Sequence, residues 1–510
     1  MFAIAAFFLV ALPWLNPFSP GPSSAVMPLL FSWACAAALI GVSQLAPQRH
    51  RGAQLLEATA GAWLAAALLS AALGLLQYFG ATAVFGVWVN STAVGEAFAN
   101  LRQRNQFASL TNIGLLALLW WAAQRSAAAP LAGGSATRSG GPWPAAVLVA
   151  LALLLGAGNA ASNSRTGLLQ LGLLVLLALG WGQWREPGAR RVLLAALLAY
   201  AVASFALPWL AGLDPLSSGA WARLRSGDAA CSSRLTLWGN VLHLIAQQPW
   251  LGWGWGNLDY AHFITLYPGA RFCDILDNAH NLPLHLAVEL GVPVALVFCG
   301  GAVWLVWRAK PWRETDGARQ LAWGVLAVIG LHSLLEYPLW YGPFQMAAGL
   351  CVWLLARRPG AWAPAGTWPL ARSAPAALLL LTLLSLGYAA WDYRRISQIY
   401  LAPSMRAEPY REKTLQKISD SWLFRNQVQF AELTTTAPTP ANAAHLRGLA
   451  LALLRFSPEP LVVERLLDST ALLGRDLEVQ FYSARYQAAF SQQQARWLKN
   501  TAAVSAPSRQ

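Results

Sequence analysis

One histidine lies in a polar run that is well suited to proton transfer. His280 belongs to Asp277-Asn278-Ala279-His280-Asn281, which closes a long polar loop and precedes an apolar segment. A histidine imidazole exchanges protons near neutral pH, so it can accept the proton of a hydroxyl nucleophile. We therefore predict that His280 is a catalytic base whose tautomer is fixed by its polar neighbours. The alternative is a surface histidine that only forms hydrogen bonds.

Arginines lie beside the apolar segments near this loop. Arg165 and Arg234 each follow small hydroxyl residues, and Arg223 and Arg225 lie in the same polar loop as His280. Guanidinium groups bind phosphate in a bidentate manner, and the amino terminus of a helix also favours anions. Several arginines at one membrane surface would suit a diphosphate whose lipid tail stays in the bilayer. The alternative is that each arginine only caps a loop or extends its charge to the interface.

A third polar set consists of His332, Glu336, Tyr337 and Tyr341 around the end of one apolar segment. The polar loop motif Arg104-Asn105-Gln106, at the start of another segment, contributes further candidates, and Arg104 is also one of the outer arginines. Ionisable groups inside an apolar span are costly unless they are partnered or face a polar cavity, which makes them functional candidates. The alternative for His332 and Glu336 is a buried brace that holds neighbouring helices. We assign His285 and Glu289, spaced four apart, to structure rather than catalysis.

The sequence contains no convincing metal site, because Asp274 and Asp277 have a spacing that is common by chance. We expect neither a metal nor another cofactor. Cys231 and Cys273 both lie in the polar loop. In an oxidising compartment they would form a disulfide that stabilises the fold by about 3–4 kcal/mol. The alternative is two free thiols.

The elements that carry these residues are apolar segments of membrane-spanning character. The chain of 510 residues is 56% hydrophobic and only 11% charged, whereas about a quarter of the residues in soluble domains are charged. This excludes a soluble globular protein and predicts an all-α polytopic membrane protein with about 11–12 transmembrane helices. We place the segments at 2–15, 26–46, 55–79, 106–123, 144–161, 166–184, 191–210, 283–307, 319–338, 341–357 and 372–391.

The distribution of cations predicts the orientation of these segments. A net charge of +14 could suggest nucleic-acid binding, but the placement of Lys and Arg explains it better as a topology signal. Alternate short loops contain fourteen cations and are predicted to be cytoplasmic. These cations are Arg49, Arg51, Arg125, Arg138, Arg185, Arg190, Arg191, Arg308, Lys310, Arg313, Arg319, Arg357, Arg358 and Arg372.

This orientation divides the chain into four parts. Residues 1–210 and 283–391 form two sets of transmembrane helices, and 211–282 form an outer loop with His280 near its end. Residues 392–510 form a soluble helical domain on the same outer side. We read Met1 to Leu15 as a first helix with a cytoplasmic amino terminus, and Ala127–Pro144 as a flexible linker.

Three motifs resemble a known family. They are Pro249-Trp-Leu-Gly-Trp-Gly-Trp-Gly256, then Asp277-Asn-Ala-His-Asn281 with Glu289-Leu-Gly291, and His332-Ser-Leu-Leu-Glu-Tyr-Pro-Leu-Trp-Tyr341. Together they resemble the Wzy/WaaL superfamily of O-antigen polymerases, O-antigen ligases and O-linked oligosaccharyltransferases. The last motif and the soluble tail are most similar to the PglL-type (PilO-like) protein O-oligosaccharyltransferases.

The resemblance implies a GT-C-like enzyme of the bacterial inner membrane with a periplasmic active site. Such enzymes transfer a preassembled glycan from undecaprenyl diphosphate to an acceptor hydroxyl, without a metal ion or a nucleotide sugar. The expected partners are this lipid-linked oligosaccharide, a pilin-like or other periplasmic protein, and the bilayer, but no nucleic acid. On this chain, His280 would be the base, Arg165 and Arg234 would hold the diphosphate, and Gln106 with Tyr337 or Tyr341 would shape the donor or acceptor site.

Other functions remain open from the sequence. An O-antigen ligase would use lipid A-core as the acceptor, and a polymerase would use another lipid-linked glycan. A transporter or flippase would need ionisable residues at mid-bilayer in several helices, whereas the polar groups here, apart from His332 and Glu336, gather at one rim. A non-catalytic scaffold would leave the outer arginines unexplained.

Overall fold

The computed structural model describes residues 1–16, 22–45, 51–128, 144–226, 230–356 and 369–505. Arg49, Arg138, Arg357 and Arg358, and nearly all of the predicted linker Ala127–Pro144, lie outside these ranges. Every regular element within the ranges is helical. The α-helices, in chain order, are α1 (Phe2–Leu15), α2 (Val26–Leu45), α3 (Arg51–Tyr78), α4 (Arg104–Ala128), α5 (Ala145–Ala161), α6 (Arg165–Gly180), α7 (Pro187–Leu210), α8 (Gly219–Ser226), α9 (Arg234–Gln247), α10 (Leu258–Ile264), α11 (Leu282–Leu290), α12 (Val292–Ala309), α13 (Gly317–Ser333), α14 (Gly342–Ala356), α15 (Pro369–Ile396), α16 (Thr414–Ile418), α17 (Arg425–Thr435), α18 (Ala443–Leu453), α19 (Pro460–Leu472), α20 (Asp476–Ala489) and α21 (Ser491–Ser505).

Each predicted apolar segment coincides with helical structure, which confirms the all-α membrane class. Within the described ranges, six helices are long and apolar enough to cross a membrane: the spans are Val26–Leu45, Arg51–Tyr78, Arg104–Gln124, Pro187–Leu210, Val292–Arg313 and Ala376–Tyr400. Helices α1, α5, α6 and α14 are apolar but shorter, with 14 to 17 residues. By length, therefore, fewer of the described helices qualify as full spans than the predicted 11–12.

The predicted segment 283–307 is wrong as a single helix. It divides into α11 and α12 at Gly291, which adopts a φ of 89°. A side chain at Gly291 would collide with the backbone of Trp250, so the close approach of another segment requires glycine and the left-handed conformation there.

The first of two compact units contains Met1–Gly227 and Leu305–Ala390. Its core is a bundle in which α3 packs on α1, α4 and α5, and α5 packs on α7. Small residues bring these helices together: a Cβ on Gly156 of α5 would collide with the Ala196 backbone of α7, and one on Gly114 of α4 would collide with Ala67 of α3. Such contacts are the usual way in which helices associate in a membrane, where apolar burial drives little association.

The second compact unit contains Asp228–Trp304 and Trp391–Gln510. Thus most of the predicted outer loop belongs to the same unit as the predicted tail domain. Phe263 of α10 is 2% exposed within the apolar core of α17–α20, and Arg485 of α20 donates a hydrogen bond of 2.8 Å to the Ile264 carbonyl. Arg455 also lies over the Tyr260 ring, 4.5 Å from its centroid. The short helix α10 therefore buries its aromatic side chains against the tail helices.

Candidate active site

In the first unit, the start of α4 is joined to the loop after α13 by a buried amide. Asn105 donates a hydrogen bond of 2.9 Å from Nδ2 to Glu336 Oε1 and accepts one of 2.6 Å from Ser164 Oγ. Asn105 and Glu336 are each 7% exposed. The Ser164 hydroxyl also accepts from the Gly167 amide and so caps α6. One side chain therefore links three segments that are distant in the sequence.

His332 has a separate partner on α4. Its Nδ1 lies 2.9 Å from Ser109 Oγ, and Gln170 Nε2 donates to the same hydroxyl at 2.8 Å. The Ser109 hydroxyl also lies 3.1 Å from Gln170 Oε1, so its single proton can go either to that oxygen or to His332 Nδ1. His332 and Glu336 are thus both braced against α4, one helical turn apart.

The remaining polar residues of this set gather around a small cavity of about 10 Å³. Its lining includes Gln106, His332, Glu336, Tyr337 and Tyr341. The two tyrosine rings stack with centroids 5.8 Å apart. This volume has room for about one water molecule. The set predicted from sequence is therefore brought together, but it is closed against a sugar-sized ligand in this conformation.

Arg104 lies beside this cavity without lining it. Its guanidinium forms an ion pair of 3.1 Å with Glu96 and lies 5.0 Å from the Phe98 ring centroid. These contacts hold the polar loop that precedes α4.

Arg165 and Arg234 occupy equivalent positions in two different helices. Arg165 is the first residue of α6, which Ser164 caps by accepting from the Gly167 amide. Arg234 is the first residue of α9, which Ser233 caps by accepting from the Thr236 amide. A cation at the amino terminus of a helix opposes the helix dipole by about 0.3–1 kcal/mol. The arrangement becomes favourable when an anion binds, because both the guanidinium and the helix terminus then attract it.

Arg223 and Arg225 lie in the last turn of α8. Helix α8 packs on α5, α6 and α7 within the first unit. Arg225 is exposed and Arg223 is half-buried. Both cations are thus held on the same bundle as Arg165.

In the second unit, His280 has a constrained backbone at the junction of a loop and a helix. Its φ is 49°, a left-handed conformation that is uncommon for a residue with a side chain. The His280 amide donates to Asn278 Oδ1 at 2.9 Å, and Asn281 caps α11 by accepting from the Leu284 amide at 3.1 Å. Asp277 lies close enough to His280 for their charges to interact. The polar run around His280 therefore sets its backbone conformation.

The His280 segment is attached to α9. Trp238 donates a hydrogen bond of 3.1 Å from Nε1 to the Ala279 carbonyl. Trp238 is four residues after Arg234, so both side chains lie on one face of α9, about 6 Å apart along its axis. The structure thus places the residue before His280 on the helix face that carries Arg234.

Cys231 and Cys273 form a disulfide in this unit, with their Cα atoms 5.3 Å apart. The Cys273 amide also donates to the Cys231 carbonyl at 3.1 Å. Further along α9, Asn240 donates to the Ala270 carbonyl at 2.9 Å and accepts from the Phe272 amide at 2.8 Å. The loop that ends at His280 is therefore fixed to α9 at Trp238 and Asn240, and to the segment just before α9 at Cys231.

The Trp/Gly motif that begins at Pro249 is explained by backbone pairing with α11. The Trp253 amide donates to the Val288 carbonyl at 2.8 Å, and the Gly254 amide donates to the Glu289 carbonyl at 2.9 Å. A side chain at Gly252 would collide with the backbone of Glu289. The His285 and Glu289 side chains, both buried, lie 3.4 Å apart. This motif supports the helix that begins beside His280, and the His285–Glu289 pair has the structural position expected for it.

Two further titratable groups are buried near this loop. Burial raises the pKa of the Asp259 carboxyl to about 7, and the charges of Asp277 and Glu289 act in the same direction against the hydrogen bond from Tyr260. Burial, and to a smaller extent the charge of Arg271, lower the pKa of His262 to about 3. The His262 imidazole is therefore neutral at physiological pH, and the Asp259 carboxyl keeps its proton up to about pH 7.

Trp238, Ser109 and Ser164 were missed as candidates in the sequence. Trp238 could have been found from its spacing, because Ser233 followed by apolar residues at 237, 241 and 244 is typical of a capped amphipathic helix. The bonds of Ser109 to His332 and of Ser164 to Asn105 give no such signal, because those partners come from other helices. Within the described residues, no group of three or more His, Cys, Asp or Glu side chains could hold a metal ion.

Models of three protein families match the chain, and each covers one group of candidate residues. A protein glycosylation ligase model matches residues 97–122, which contain Asn105 and Gln106. An O-antigen ligase model matches residues 148–299, which contain Arg165, Arg234 and His280. The C-terminal model of a virulence factor membrane-bound polymerase matches residues 320–504. These matches make the chain similar to the Wzy/WaaL superfamily and, within it, to the PglL type.

Two curated relatives come from Acinetobacter baylyi. A general O-oligosaccharyltransferase is 26% identical over 270 residues, which is 51% of this chain and 43% of the relative. A ComP-specific O-oligosaccharyltransferase is 25% identical over 266 residues, which is 51% of this chain and 44% of the relative. The matched region thus spans less than half of each relative. No solved structure matches the chain.

Proposed function

We propose that this protein is an O-linked oligosaccharyltransferase. It moves a preassembled glycan as a block from undecaprenyl diphosphate to Ser or Thr hydroxyls of periplasmic or pilin-like proteins. The names of the two relatives and the match to a protein glycosylation ligase support this proposal. The cation distribution supports the inner membrane as its site, with His280 and the tail on the periplasmic side.

In the proposed mechanism, His280 accepts the proton of the acceptor hydroxyl as its oxygen attacks the anomeric carbon of the glycan. The new carbon–oxygen bond forms while the bond to the diphosphate oxygen breaks, and the electron pair leaves with the lipid diphosphate. Arg234 and Arg165 stabilise the developing negative charge, with a contribution from Arg223 or Arg225. Gln106 and Tyr337 or Tyr341 shape the donor or acceptor site. Direct displacement inverts the anomeric configuration.

The observation that carries the proposal is the attachment of the His280 segment to the helix of Arg234. The hydrogen bond from Trp238 to the Ala279 carbonyl fixes the segment that carries His280 to the helix that begins at Arg234. A transfer from a diphosphate to a hydroxyl needs these two groups in a fixed relation, because one activates the nucleophile and the other the leaving group. The left-handed backbone of His280 supports a functional role, because such strain is concentrated at active sites.

A second function is favoured by the family models, since two of them describe an O-antigen ligase and a polymerase. In that case the acceptor would be lipid A-core or another lipid-linked glycan, and the groups at His280 would act in the same way. The difference lies in the acceptor alone.

The test is a transfer assay with purified protein in lipid nanodiscs and one lipid-linked oligosaccharide. Three acceptors are offered separately: a pilin-like protein, lipid A-core, and a second lipid-linked glycan. We expect mass spectrometry to detect glycan on Ser or Thr of the protein acceptor only. Glycan on lipid A-core or on the second glycan, with none on protein, would contradict the proposal and support the alternative.

A further inference from the structure

Helix α15 carries a tryptophan at the edge of its uncharged stretch. The 19 residues from Ser373 to Trp391 include no charged residue, and Asp392 follows directly. A helix of this length rises by about 28 Å, which is close to the thickness of the hydrocarbon core of a bilayer, about 30 Å. Trp391 is 52% exposed, and tryptophan is enriched where the hydrocarbon meets the lipid headgroups. The level of Trp391 therefore corresponds to a membrane interface.

A later segment of the tail is fixed to this end of α15 by buried polar contacts. Ser421 donates a hydrogen bond of 2.8 Å from Oγ to Asp392 Oδ2. Arg395 donates from Nη2 to Asp392 Oδ1 and from Nη1 to Asp420 Oδ1, each at 2.8 Å. The same guanidinium lies over the Trp391 ring, 4.7 Å from its centroid. Because hydrogen bonds between charged groups are strong, they hold the segment beside Trp391.

The two side chains that follow this attachment point are apolar and exposed. Trp422 is 69% exposed and Leu423 is 39% exposed. They come directly after Ser421, and consecutive Cα atoms are about 3.8 Å apart, so they remain near the level of Trp391. Two tryptophans that are distant in the sequence are thus exposed at one level of the molecule.

Exposed cations accompany these apolar side chains. Arg394 lies in the last turn of α15, and Arg425 is the first residue of α17. Both are exposed, whereas the nearby carboxylate of Asp420 is paired with Arg395. Guanidinium groups bind phosphate in a bidentate manner. Apolar rings together with cations suit the boundary between phospholipid headgroups and acyl chains.

We propose that residues 421–425 anchor the tail to the membrane, with Trp422 and Leu423 in the lipid interface beside Trp391. The partner is the phospholipid bilayer, and Arg394 and Arg425 contact its phosphate groups. The attachment to α15 selects the bilayer over a protein partner, because it holds the segment where that helix leaves the hydrocarbon. Such an anchor holds the second unit against the membrane surface, whatever reaction the protein catalyses. Trp422→Phe retains the anchor, since phenylalanine keeps an apolar ring.

The first experiment uses wild-type protein in nanodiscs of phosphatidylethanolamine and phosphatidylglycerol. A small fraction of the lipid carries a photoreactive group at the start of one acyl chain, and tryptic peptides are mapped by mass spectrometry after irradiation. Peptide 418–425 contains Trp422, and the control peptide 476–485 contains Leu477, which is 83% exposed on α20. We expect lipid on 418–425 and none on 476–485. No lipid on 418–425, or equal amounts on both peptides, would overturn the proposal.

The second experiment measures depth in the same nanodiscs. Trp422→Cys and Leu477→Cys are made separately in a protein in which the cysteines outside the disulfide are replaced by alanine, and each carries a small fluorophore. The replaced cysteines are Cys35, Cys299 and Cys351. We expect nitroxide lipids to quench the label at 422, and aqueous iodide to quench the label at 477. Quenching at 422 by iodide alone would contradict the proposal. Protection of 422 from both quenchers would assign the segment to a protein contact and would also overturn it.

Discussion

Asn105 donates a hydrogen bond of 2.9 Å from its Nδ2 to Oε1 of Glu336, across 231 residues of sequence. Both side chains are buried in the first unit. A buried carboxylate is costly unless it has donors nearby. The amide of Asn105 therefore holds Glu336, and with it the segment that carries Tyr337 and Tyr341.

We predict that Asn105→Ala destabilises the bundle by about 1–3 kcal/mol, because it removes a donor from a buried carboxylate. The measurement is the thermal unfolding midpoint of the purified protein in detergent micelles. Glu336→Gln should be milder, since its side-chain carbonyl still accepts from Asn105. Ser43→Ala serves as a control for a change at a polar membrane-helix residue. A midpoint unchanged in Asn105→Ala would contradict the role given to this hydrogen bond.

The buried carboxyl of Asp259 predicts a stability that depends on pH. Its pKa is raised from 3.8 to about 7 on folding. Below pH 3.8 both states are protonated, and this group adds no pH dependence. Between pH 4 and 7 the folded state retains the proton that the unfolded state has lost, so the free energy of unfolding falls as the pH rises. Above pH 7 both states are ionised, so this group causes no further fall in the free energy of unfolding.

We expect Asp259→Asn to be more stable than wild type at pH 8 by a few kcal/mol and equal to it at pH 4. The measurement is the difference in unfolding midpoint between the two proteins across this pH range. Because both proteins contain His262, taking the difference cancels the opposite pH dependence that this residue causes. Asp476→Asn changes an exposed carboxylate on the tail and should give no such trend. A difference independent of pH would be inconsistent with the buried, neutral form of Asp259.

The helical class and several local features could be predicted from the sequence. Apolar segments long enough to form membrane helices, and the start of α6 at Arg165, depend on neighbours within a few residues. The break at Gly291 was not predicted, because it depends on the backbone of Trp250 approaching from elsewhere in the chain. The capped start of α9 at Arg234 was predictable from its spacing but was overlooked.

Partners that are distant in the sequence could not be predicted. The spacing of His332 and Glu336 indicates one helix face, but their bonds to Ser109 and Asn105 depend on how α4 packs. For the same reason, the sequence predicts the loop 211–282 and the tail 392–510 as two separate domains. The structure instead buries Phe263 of the loop in the tail core.

The disulfide predicts that reduction weakens the second unit. Its two cysteines are 42 residues apart, a loop whose closure is worth about 4 kcal/mol in the chain-entropy model. We expect the double variant Cys231→Ser/Cys273→Ser to have a lower unfolding midpoint, and a reducing agent to lower the wild-type midpoint to the same value. Cys299→Ser changes an unbridged thiol and should respond to the reducing agent as wild type does. Equal midpoints with and without reductant in wild type would exclude a stabilising bridge.

Trp238 is predicted to be a positioning residue. Trp238→Phe keeps an aromatic ring but removes the donor to the Ala279 carbonyl, a bond worth about 1 kcal/mol. We expect kcat to fall by about fivefold while KM for the donor stays within about twofold, because the tryptophan positions His280 and does not bind the lipid. Trp422→Phe changes a tryptophan that is 69% exposed and serves as the control. A rise in KM with kcat unchanged would assign Trp238 to donor binding instead.

The central claim is that His280 and Arg234 act together in glycan transfer, and single-turnover transfer with saturating donor tests it most directly. His280→Ala and Arg234→Ala are compared with His445→Ala and Arg475→Ala, whose side chains are 63% and 57% exposed on the tail. Membrane insertion and unfolding midpoints are checked for each protein. We predict that both site variants lose transfer by about a hundredfold or more, as expected for loss of a general base or of charge stabilisation, while both tail variants keep wild-type rates. Full transfer by a correctly inserted His280→Ala or Arg234→Ala protein would contradict the account.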